Sequence, residues 1–313
     1  MKVGSLFAGI GGIDLGFEQA GAKIIWANEA DPYACMTYKL NFENELIEMK
    51  IQEVYNEEIP DIDILTGGFP CQSFSTVGAM RGFEDKGKGD LIFEVFRILK
   101  AKQPQAVFLE NVKGLLLQDK GKSFDTILEH LKNLGYYVKY QLINSLTHGN
   151  VPQNRERVYI VSFKNETAYN KFVFPEPIRN SSTIKQIINP AEQKEEALYI
   201  PKNTPLYEQQ KEIMTNKDAV YMIGAKYKFG QFSNRCPALL ATMGEDTKKV
   251  PYVTDNFGIR RLTIRECFNI QGFPNDYIIP KNMSSSQLYK QIGNSVTVPV
   301  VKRIAENILQ ALS

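Results

Sequence analysis

The chain has 313 residues, of which 43% are hydrophobic and 23% are charged. This composition excludes the disordered, collagen-like and mini-protein classes, and the length allows two domains or one large domain with an insertion. The 37 Lys and Arg residues against 35 Asp and Glu residues give a formal charge of +2, so any nucleic-acid-binding surface must be local.

The cysteines and the N-terminal sequence indicate an intracellular protein. The four cysteines are far apart and form no CxxC pair, and there are only two histidines, so neither a zinc site nor a disulfide framework is expected. Glycines stand where a signal peptide would have its apolar run, and no apolar stretch approaches the roughly 18 residues of a membrane span. We expect reduced thiols, no metal, no membrane association and a cytoplasmic location.

Short apolar runs alternate with helical patterns over the first half of the chain. Strands are predicted over residues 3–8, 24–28, 62–65 and 106–109, and two closing strands over 136–142 and 157–163. Helices are predicted over 12–21, from 32 onwards, over 91–100 and over 123–134. This alternation is typical of an α/β fold with a mostly parallel sheet and helices on both faces, in which ligands bind at the carboxyl ends of the strands.

The pattern changes after residue 164, where five prolines punctuate a polar stretch without a clear hydrophobic period. We predict a first domain over residues 1–170, a smaller, irregular and strand-poor domain over 171–275, and a C-terminal segment over 276–313. The amphipathic helix predicted over 300–312 needs an apolar partner, which we expect in the first domain.

Two loops after predicted strands carry residues suited to a ligand. In Phe7–Gly12, glycines let the backbone approach a ligand at a helix N-terminus, although a tight turn without a ligand is an alternative because the pattern GxGxxG is not met. Glu29, at the end of the second strand, is the candidate for binding ribose hydroxyls. Asn28 and Asp31 could instead cap the helix that begins at Pro32.

Cys71 lies in Gly-Gly-Phe-Pro-Cys-Gln-Ser directly after the strand at 62–65, where an exposed nucleophile is expected. A packed loop thiol is the alternative for this residue. Cys35 and Cys267 lie in helical patterns among apolar residues, which favours the core, and Cys236 precedes a proline and is predicted to be inert.

Charged residues also follow the later strands. Glu110 ends the strand that begins at residue 106, on the same sheet edge as Cys71, and could instead be a cap. Arg155 and Arg157 alternate along an extended segment and therefore share one face, where a solvated strand edge is the alternative.

Seven segments, in order, resemble the motif blocks of the C5-cytosine DNA methyltransferases of prokaryotic restriction-modification systems. They lie between residues 5 and 300 and read FAGIGG, NEAD, DIDILTGGFPCQSFS, FLENVKG, PQNRERVYIV, RRLTIRECFNIQGFP and QIGNSVTVPV. The long gap after the fifth segment is where the family has its target recognition region. The resemblance implies a Rossmann-like S-adenosylmethionine-dependent methyltransferase sheet with a smaller target recognition domain.

The resemblance also implies a mechanism. Cys71 would add to C6 of a cytosine flipped out of the duplex, because C5 is too weak a nucleophile to accept a methyl group unaided. Glu110 would act at N3 and the exocyclic amine, while Arg155 and Arg157 would bind O2 and favour the Cys71 thiolate. The segment 73–89 resembles the mobile catalytic loop of the family, and the chemistry needs no metal.

For the cofactor S-adenosylmethionine, and its product S-adenosylhomocysteine, the resemblance implies contacts from several motif blocks. The predicted cofactor-binding residues are Phe7, Ala8, Gly9, Ile10, Gly11, Gly12, Asn28, Glu29, Ala30, Ile51, Gly68, Pro70, Leu91, Asn294 and Ser295. Two positions depart from the family pattern. Ala30 stands where a bulky residue often follows the acid, and Lys50 stands where an Asp usually accepts from the adenine amine.

The implied partner is double-stranded DNA, read in the major groove by the region 171–259. The predicted DNA-binding residues are Gln72, Ser73, Ser75, Arg81, Gln153, Lys226, Lys228, Arg235 and Thr242, with solvated charge as the alternative for the basic ones. The family's Thr-Leu pair has two candidates, Ala238-Leu239 and Thr242-Met243. We also expect a monomer and a separate restriction endonuclease that acts on the same site.

Other functions compete with this interpretation. One branch of the same family methylates cytosine in tRNA, but its recognition region is short, and the length of residues 171–259 favours DNA. A catalytically inactive DNA-binding protein is disfavoured by the intact Cys71, Glu110, Arg155 and Arg157. An NAD-dependent oxidoreductase on the same sheet would leave the Pro-Cys-Gln segment without a role.

Overall fold

The computed structural model describes residues 1–70, 91–223 and 229–313. Within these ranges the strands are β1 (Lys2–Leu6), β2 (Lys23–Asn28), β3 (Glu45–Ile47), β4 (Ile64–Gly67), β5 (Ala106–Val112), β6 (Tyr137–Asn144), β7 (Gln153–Asn154), β8 (Glu156–Phe163), β9 (Ala219–Ile223), β10 (Phe229–Ser233), β11 (Cys236–Pro237), β12 (Tyr252–Thr254) and β13 (Ile259–Arg261). The α-helices are α1 (Gly12–Gln19), α2 (Pro32–Lys39), α3 (Leu91–Lys102), α4 (Lys122–Asn133), α5 (Ser145–His148), α6 (Glu166–Lys171), α7 (Ile184–Ile187), α8 (Pro205–Lys211), α9 (Ile264–Ile270), α10 (Ser285–Asn294) and α11 (Val298–Leu312). None of the helices in the described ranges is long and apolar enough to cross a membrane.

The chain divides into two compact units. The first consists of Met1–Ile143, Glu156–Glu176 and Val300–Ser313, and the second consists of Asn144–Arg155 and Pro177–Pro299. These units overlap the predicted domains without coinciding with them, because residues 144–155 and 276–299 belong to the second unit. The roles assigned to the predicted domains stay predictions.

The first unit is built on a sheet that, among the described residues, has seven strands in the order β3-β2-β1-β4-β5-β8-β6. The strands from β3 to β5 pair in parallel, and β8 runs antiparallel to β5. The predicted α/β class with a mostly parallel sheet is therefore confirmed. Because β1, β2, β3, β4 and β5 are parallel, the loops that follow them leave from one edge of the sheet.

Helices cover both faces of this sheet, which explains the continuous apolar runs of its strands. On one face, Trp26 and Leu109 are fully buried in a cluster that also contains Phe96 of α3 and Ile127 of α4. The other face carries Phe108, whose ring centroid lies 5.3 Å from that of Phe17 in α1. In the same helix, a Cβ on Gly16 would lie 2.6 Å from Val301 Cγ1 in α11, so close packing of these two helices requires glycine there.

The second unit contains a short antiparallel sheet in the order β10-β9-β12-β13 and a two-residue parallel pairing of β11 with β7. The sequence predicted a strand-poor second domain and gave no indication of this sheet. The strands of the sheet are too short to give a clear alternation of apolar and polar residues. Arg260 is fully buried in this unit, with Nε 2.7 Å from Asp255 and a bidentate contact of 2.8 Å to Glu266. Glu266 in turn caps α9 with Thr263.

Candidate active site

The loop after β1 and the residue after β2 are joined by hydrogen bonds. The backbone N–H of Gly9 donates to Glu29 Oε2 at 2.7 Å. Glu29 Oε1 accepts from the N–H groups of Ala30 at 2.8 Å and Asp31 at 2.7 Å. Three backbone donors therefore fix the Glu29 carboxylate beside the glycine loop, at the sheet edge where the sequence predicted it.

The glycine loop has an unusual backbone conformation. Phe7, Gly9 and Gly11 have φ angles of 54°, 57° and 76°, in the left-handed region that glycine adopts most easily. A Cβ on Gly11 would lie 2.1 Å from the Phe42 ring, so packing requires glycine at this position. A Cβ on Gly9 would meet nothing within 4 Å, so this position leaves open space beside the loop.

Asp31 and Asn28, on either side of Glu29, differ in whether they cap the following helix. Asp31 caps α2, accepting from the N–H of Tyr33 at 2.9 Å, as one interpretation of the sequence proposed. The same interpretation is wrong for Asn28, whose amide donates to the carbonyls of Ile47 at 3.1 Å and Met49 at 2.8 Å. Asn28 therefore holds the backbone that leaves β3.

Glu110 and Arg157 form an ion pair across β5 and β8. In the antiparallel register, Glu110 lies opposite Tyr159 and Val112 lies opposite Arg157, so the two charged side chains are diagonal neighbours on one face. Arg157 Nε lies 3.1 Å from Glu110 Oε1, and the side chains are 12% and 11% exposed. Limited access of water strengthens this pair and fixes the carboxyl group relative to the sheet.

The same region of β5 contacts the chain that leads to Cys71. A Cβ on Gly68 would lie 3.5 Å from Glu110 Oε2. The Asn111 amide donates to the Phe69 carbonyl at 2.8 Å, and both residues are buried. Sequence reasoning gave Asn111 no role, although a polar residue beside the acid in an apolar strand was a signal for one.

Several predicted residues lie outside the described residues, and their roles stay predictions. They are Cys71, Gln72, Ser73, Ser75, Arg81, Lys226 and Lys228. The other three cysteines, Cys35, Cys236 and Cys267, are fully buried, as expected for core residues. Burial raises the pKa of Cys35 to about 12 and shifts the pKa of Cys267 well above its usual value, so neither thiol is a ready nucleophile.

The structure gives Arg155 and Arg157 different partners, although their alternation predicted a shared face. Arg155 belongs to the second unit, where it is 2% exposed. Its guanidinium donates to the backbone carbonyls of Leu239 at 2.7 Å, Gly293 at 3.1 Å and Ser295 at 2.6 Å. Arg155 therefore holds three backbone positions together, and its predicted contact with a base carbonyl stays a prediction.

Gln153 takes part in a second buried network. Its amide donates to Gln271 Oε1 at 2.9 Å and to the Ile270 carbonyl at 3.3 Å, and its oxygen accepts from the Leu239 N–H at 3.2 Å. Gln153 is fully buried. The DNA contact predicted for it would require these hydrogen bonds to open, and stays a prediction.

The candidate Thr-Leu positions differ in exposure. Leu239 and Met243 are buried, whereas Leu240 between them is 50% exposed. Thr242 is half-buried and Arg235 is exposed. The predicted cofactor-binding residues of this unit, Asn294 and Ser295, lie at the C-terminal end of α10, where Asn294 is exposed.

Comparisons with known proteins identify the family. The family of C-5 cytosine-specific DNA methylases matches residues 1–310. The Type II methyltransferase M.Bsp6I of Bacillus sp. (strain RFL6) is 48% identical over 318 residues, which cover 100% of this chain and 99% of that protein. M.SsoII of Shigella sonnei is 38% identical over 313 residues, covering 98% of this chain and 79% of that protein.

A solved structure shows the same fold. A DNMT2 variant from Spodoptera frugiperda superimposes with a TM-score of 0.76 at 21% identity, over 98% of this chain and 99% of that chain. With the family match and the Type II relatives, the chain belongs to the C-5 cytosine-specific DNA methylases and is a DNA (cytosine-5) methyltransferase.

Membership of this family implies S-adenosylmethionine as the methyl donor. The residues at the edge of the first unit fit such a ligand. The fixed carboxylate of Glu29 is an acceptor suited to ribose hydroxyls, and the open side of Gly9 admits a ligand against the backbone.

Proposed function

We propose that this chain transfers a methyl group from S-adenosylmethionine to C5 of a cytosine in double-stranded DNA, through a transient bond between Cys71 Sγ and C6. The observation that carries the proposal is the nearly buried Glu110 carboxyl, paired with Arg157 at 3.1 Å. It lies at the carboxyl end of β5, beside the backbone at Gly68 that leads to Cys71. An acid is thereby held at the edge from which the nucleophile-bearing loop leaves.

In the proposed reaction, the thiolate of Cys71 adds to C6 and pushes electron density towards C5. Glu110 supplies or shares a proton at N3 of the ring, which relieves the negative charge that develops during this addition. Arg157 orients the Glu110 carboxyl through Oε1. When bound, S-adenosylmethionine would supply the methyl group that C5 accepts, and it would leave as S-adenosylhomocysteine. Transfer of the C5 proton to water or another base then expels the Cys71 thiolate from C6, and the N3 proton returns to Glu110.

This chemistry requires access to the face of the cytosine ring. A base stacked in a duplex does not offer C6 to a thiolate, so we propose that the target cytosine is flipped out. The second unit would read the surrounding DNA, with Arg235 and Thr242 among its contacts. The Type II relatives support DNA as the substrate, and we expect a monomeric enzyme with a separate cognate endonuclease.

The test first needs the target sequence. Bisulfite sequencing of DNA from cells that express the protein would locate the modified cytosine. With S-adenosylmethionine present, a duplex with that sequence and 5-fluorocytosine at the target should then trap a covalent complex that survives denaturing electrophoresis, because fluorine replaces the C5 proton whose loss would free Cys71. The wild-type chain should form this complex and Cys71→Ser should not.

Two controls separate the alternatives. With labelled S-adenosylmethionine, duplex DNA should be labelled and tRNA should not, and labelling of tRNA alone would overturn the choice of substrate. A complex formed equally by Cys71→Ser would refute the assigned nucleophile. If the wild-type chain methylates no nucleic acid, the proposed reaction is wrong.

A further inference from the structure

One arginine outside the candidate active site holds the backbone that follows β3. Arg97 lies in the second turn of α3, and its side chain is 28% exposed. Its Nη2 donates to the Ile51 carbonyl at 3.0 Å, its Nη1 donates to Asn56 Oδ1, and its Nε donates to Glu94 Oε2 at 2.7 Å. All three nitrogens of the guanidinium are therefore engaged.

The segment that Arg97 holds has little regular structure of its own. It consists of two 3₁₀ turns, Ile51–Glu53 and Asn56–Glu58, between β3 and β4. Such short turns have few internal hydrogen bonds, so side chains from elsewhere must fix their position. Asn28 holds the start of this segment through the Ile47 and Met49 carbonyls, and Arg97 holds Ile51 and Asn56.

The position of this segment connects it to the cofactor. β3 is parallel to β2, and β2 is parallel to β1, so the segment leaves from the same edge as the loop containing Gly9 and as Glu29. The Ile51 carbonyl accepts two hydrogen bonds, because it accepts from the Val54 N–H at 3.2 Å as well as from Arg97. We call the space beside Gly9 and Glu29 the candidate cofactor pocket. A shift of the Ile51 backbone would change the wall of this pocket.

We propose that Arg97 is a positioning residue that presets the Ile51–Asn56 backbone for S-adenosylmethionine binding and takes no part in methyl transfer. This inference rests on the proposed function, because it assigns Ile51 to the cofactor pocket. It extends that function to a residue that sequence reasoning did not select. Arg97 would act from α3, whose first residue, Leu91, is itself a predicted cofactor contact.

Two features of Arg97 can be separated by substitution. Its bond to Glu94 lies within α3 and stabilises the helix as an i, i+3 pair, whereas its other two bonds reach the Ile51–Asn56 segment. Glu94→Gln keeps an acceptor for Nε and leaves those two bonds in place. Arg97→Lys keeps the charge, but one ammonium cannot span acceptors that a planar guanidinium reaches simultaneously.

The experiment measures binding of S-adenosylhomocysteine by isothermal titration calorimetry, together with the melting temperature and kcat at saturating S-adenosylmethionine. Arg97→Met should raise the dissociation constant by about tenfold, as expected when a support of a binding wall is removed. The kcat value at saturation should stay within about twofold of the wild-type value, and Glu94→Gln should leave the dissociation constant within about twofold. Arg97→Lys should bind weakly, like Arg97→Met.

Asn56→Ala removes one acceptor of Arg97 and gives a milder variant if Arg97→Met does not fold. It should raise the dissociation constant by about threefold, and combining it with Arg97→Lys should give less than the product of the two effects. Wild-type affinity for S-adenosylhomocysteine in Arg97→Met or in Asn56→Ala would overturn the positioning role. So would a loss of affinity in Glu94→Gln as large as that in Arg97→Met. A wild-type chain that does not bind S-adenosylhomocysteine would instead overturn the proposed function.

Discussion

A buried acid in α1 should make the stability of the first unit depend on pH. Asp14 is fully buried, and Tyr38 donates to its Oδ2 at 2.7 Å. The same hydroxyl lies 3.1 Å from Asn44 Oδ1. A tyrosine hydroxyl has one hydrogen for these two acceptors, so a protonated Asp14 that donates to Tyr38 would allow both contacts to be made at once.

The pKa of Asp14 gives the size of this effect. Burial raises the pKa from 3.8 to about 6, against the hydrogen bond from Tyr38, which lowers it. A shift of about two pKa units corresponds to about 3 kcal/mol. The folded state binds the Asp14 proton more tightly than the unfolded state, so ionisation of Asp14 lowers the free energy of unfolding. This loss of stability is absent below about pH 4, grows as the pH rises, and is complete above about pH 6.

The substitution Asp14→Asn removes the ionisation and keeps a side chain that can donate to Tyr38. The free energy of unfolding of the variant, relative to the wild type, should therefore increase with pH, with roughly half of the 3 kcal/mol appearing between pH 5 and pH 8. Urea unfolding can be followed through the fluorescence of Trp26, the one tryptophan of the chain. Trp26 is fully buried in the first unit and therefore reports on the unit that contains Asp14.

Asp125→Asn is the matched control. Asp125 also lies in the first turn of a helix, α4 of the same unit, but its side chain is exposed. The free energy of unfolding of Asp125→Asn, relative to the wild type, should not change between pH 5 and pH 8. If plots of the free energy of unfolding against pH remain parallel for Asp14→Asn and the wild type over this range, Asp14 is already ionised in the folded protein. The reasoning from burial would then be wrong.

Three further substitutions test the site and the packing. Glu110→Gln should lower kcat by about 10²-fold or more through loss of the acid, since the amide still accepts from Arg157, and a change in KM alone would contradict the assigned role. Glu29→Gln should weaken S-adenosylhomocysteine binding by about tenfold in calorimetry, because its amide group would face backbone N–H donors, and wild-type affinity would remove Glu29 from the pocket. Gly293→Ala should lower the melting temperature of the second unit, because a Cβ would lie 2.2 Å from the Leu240 backbone, and an unchanged transition would show that the Leu240–Ala241 turn can move.

Much of the first unit could be predicted because its signals are local. The apolar runs that form β1, β2, β4 and β5 are buried on both faces and stand out without any alignment. Glu29 and Glu110 could be selected because each ends or nearly ends such a run, and parallel strands bring their ends to one edge. The antiparallel pairing of β8 with β5 gave no such signal, since an apolar strand reads the same in either direction.

The second unit was harder to predict for a different reason. Its antiparallel sheet consists of strands of three to five residues, and beside β13 it contains a buried charged cluster in which Arg260 contacts Asp255 and Glu266. A buried arginine and an exposed one look identical in the sequence. The separate partners of Arg155 and Arg157 could not be predicted either, because Arg155 lies between β7 and β8 and belongs to a different compact unit from Arg157.

Several polar residues around the carboxyl edge of the first unit's sheet support the backbone. Asn28, Asn111 and Arg97 all donate to backbone carbonyls, and the cofactor contact predicted for Asn28 stays a prediction. Loops at the carboxyl edge lack the regular hydrogen bonds of strands, so their carbonyls need side-chain donors if the loops are to keep one conformation. A ligand needs such a fixed edge as much as it needs direct contacts. The amide and guanidinium groups of these residues support the loops, and the carboxyl groups of Glu29 and Glu110 stay our candidates for contacting ligands.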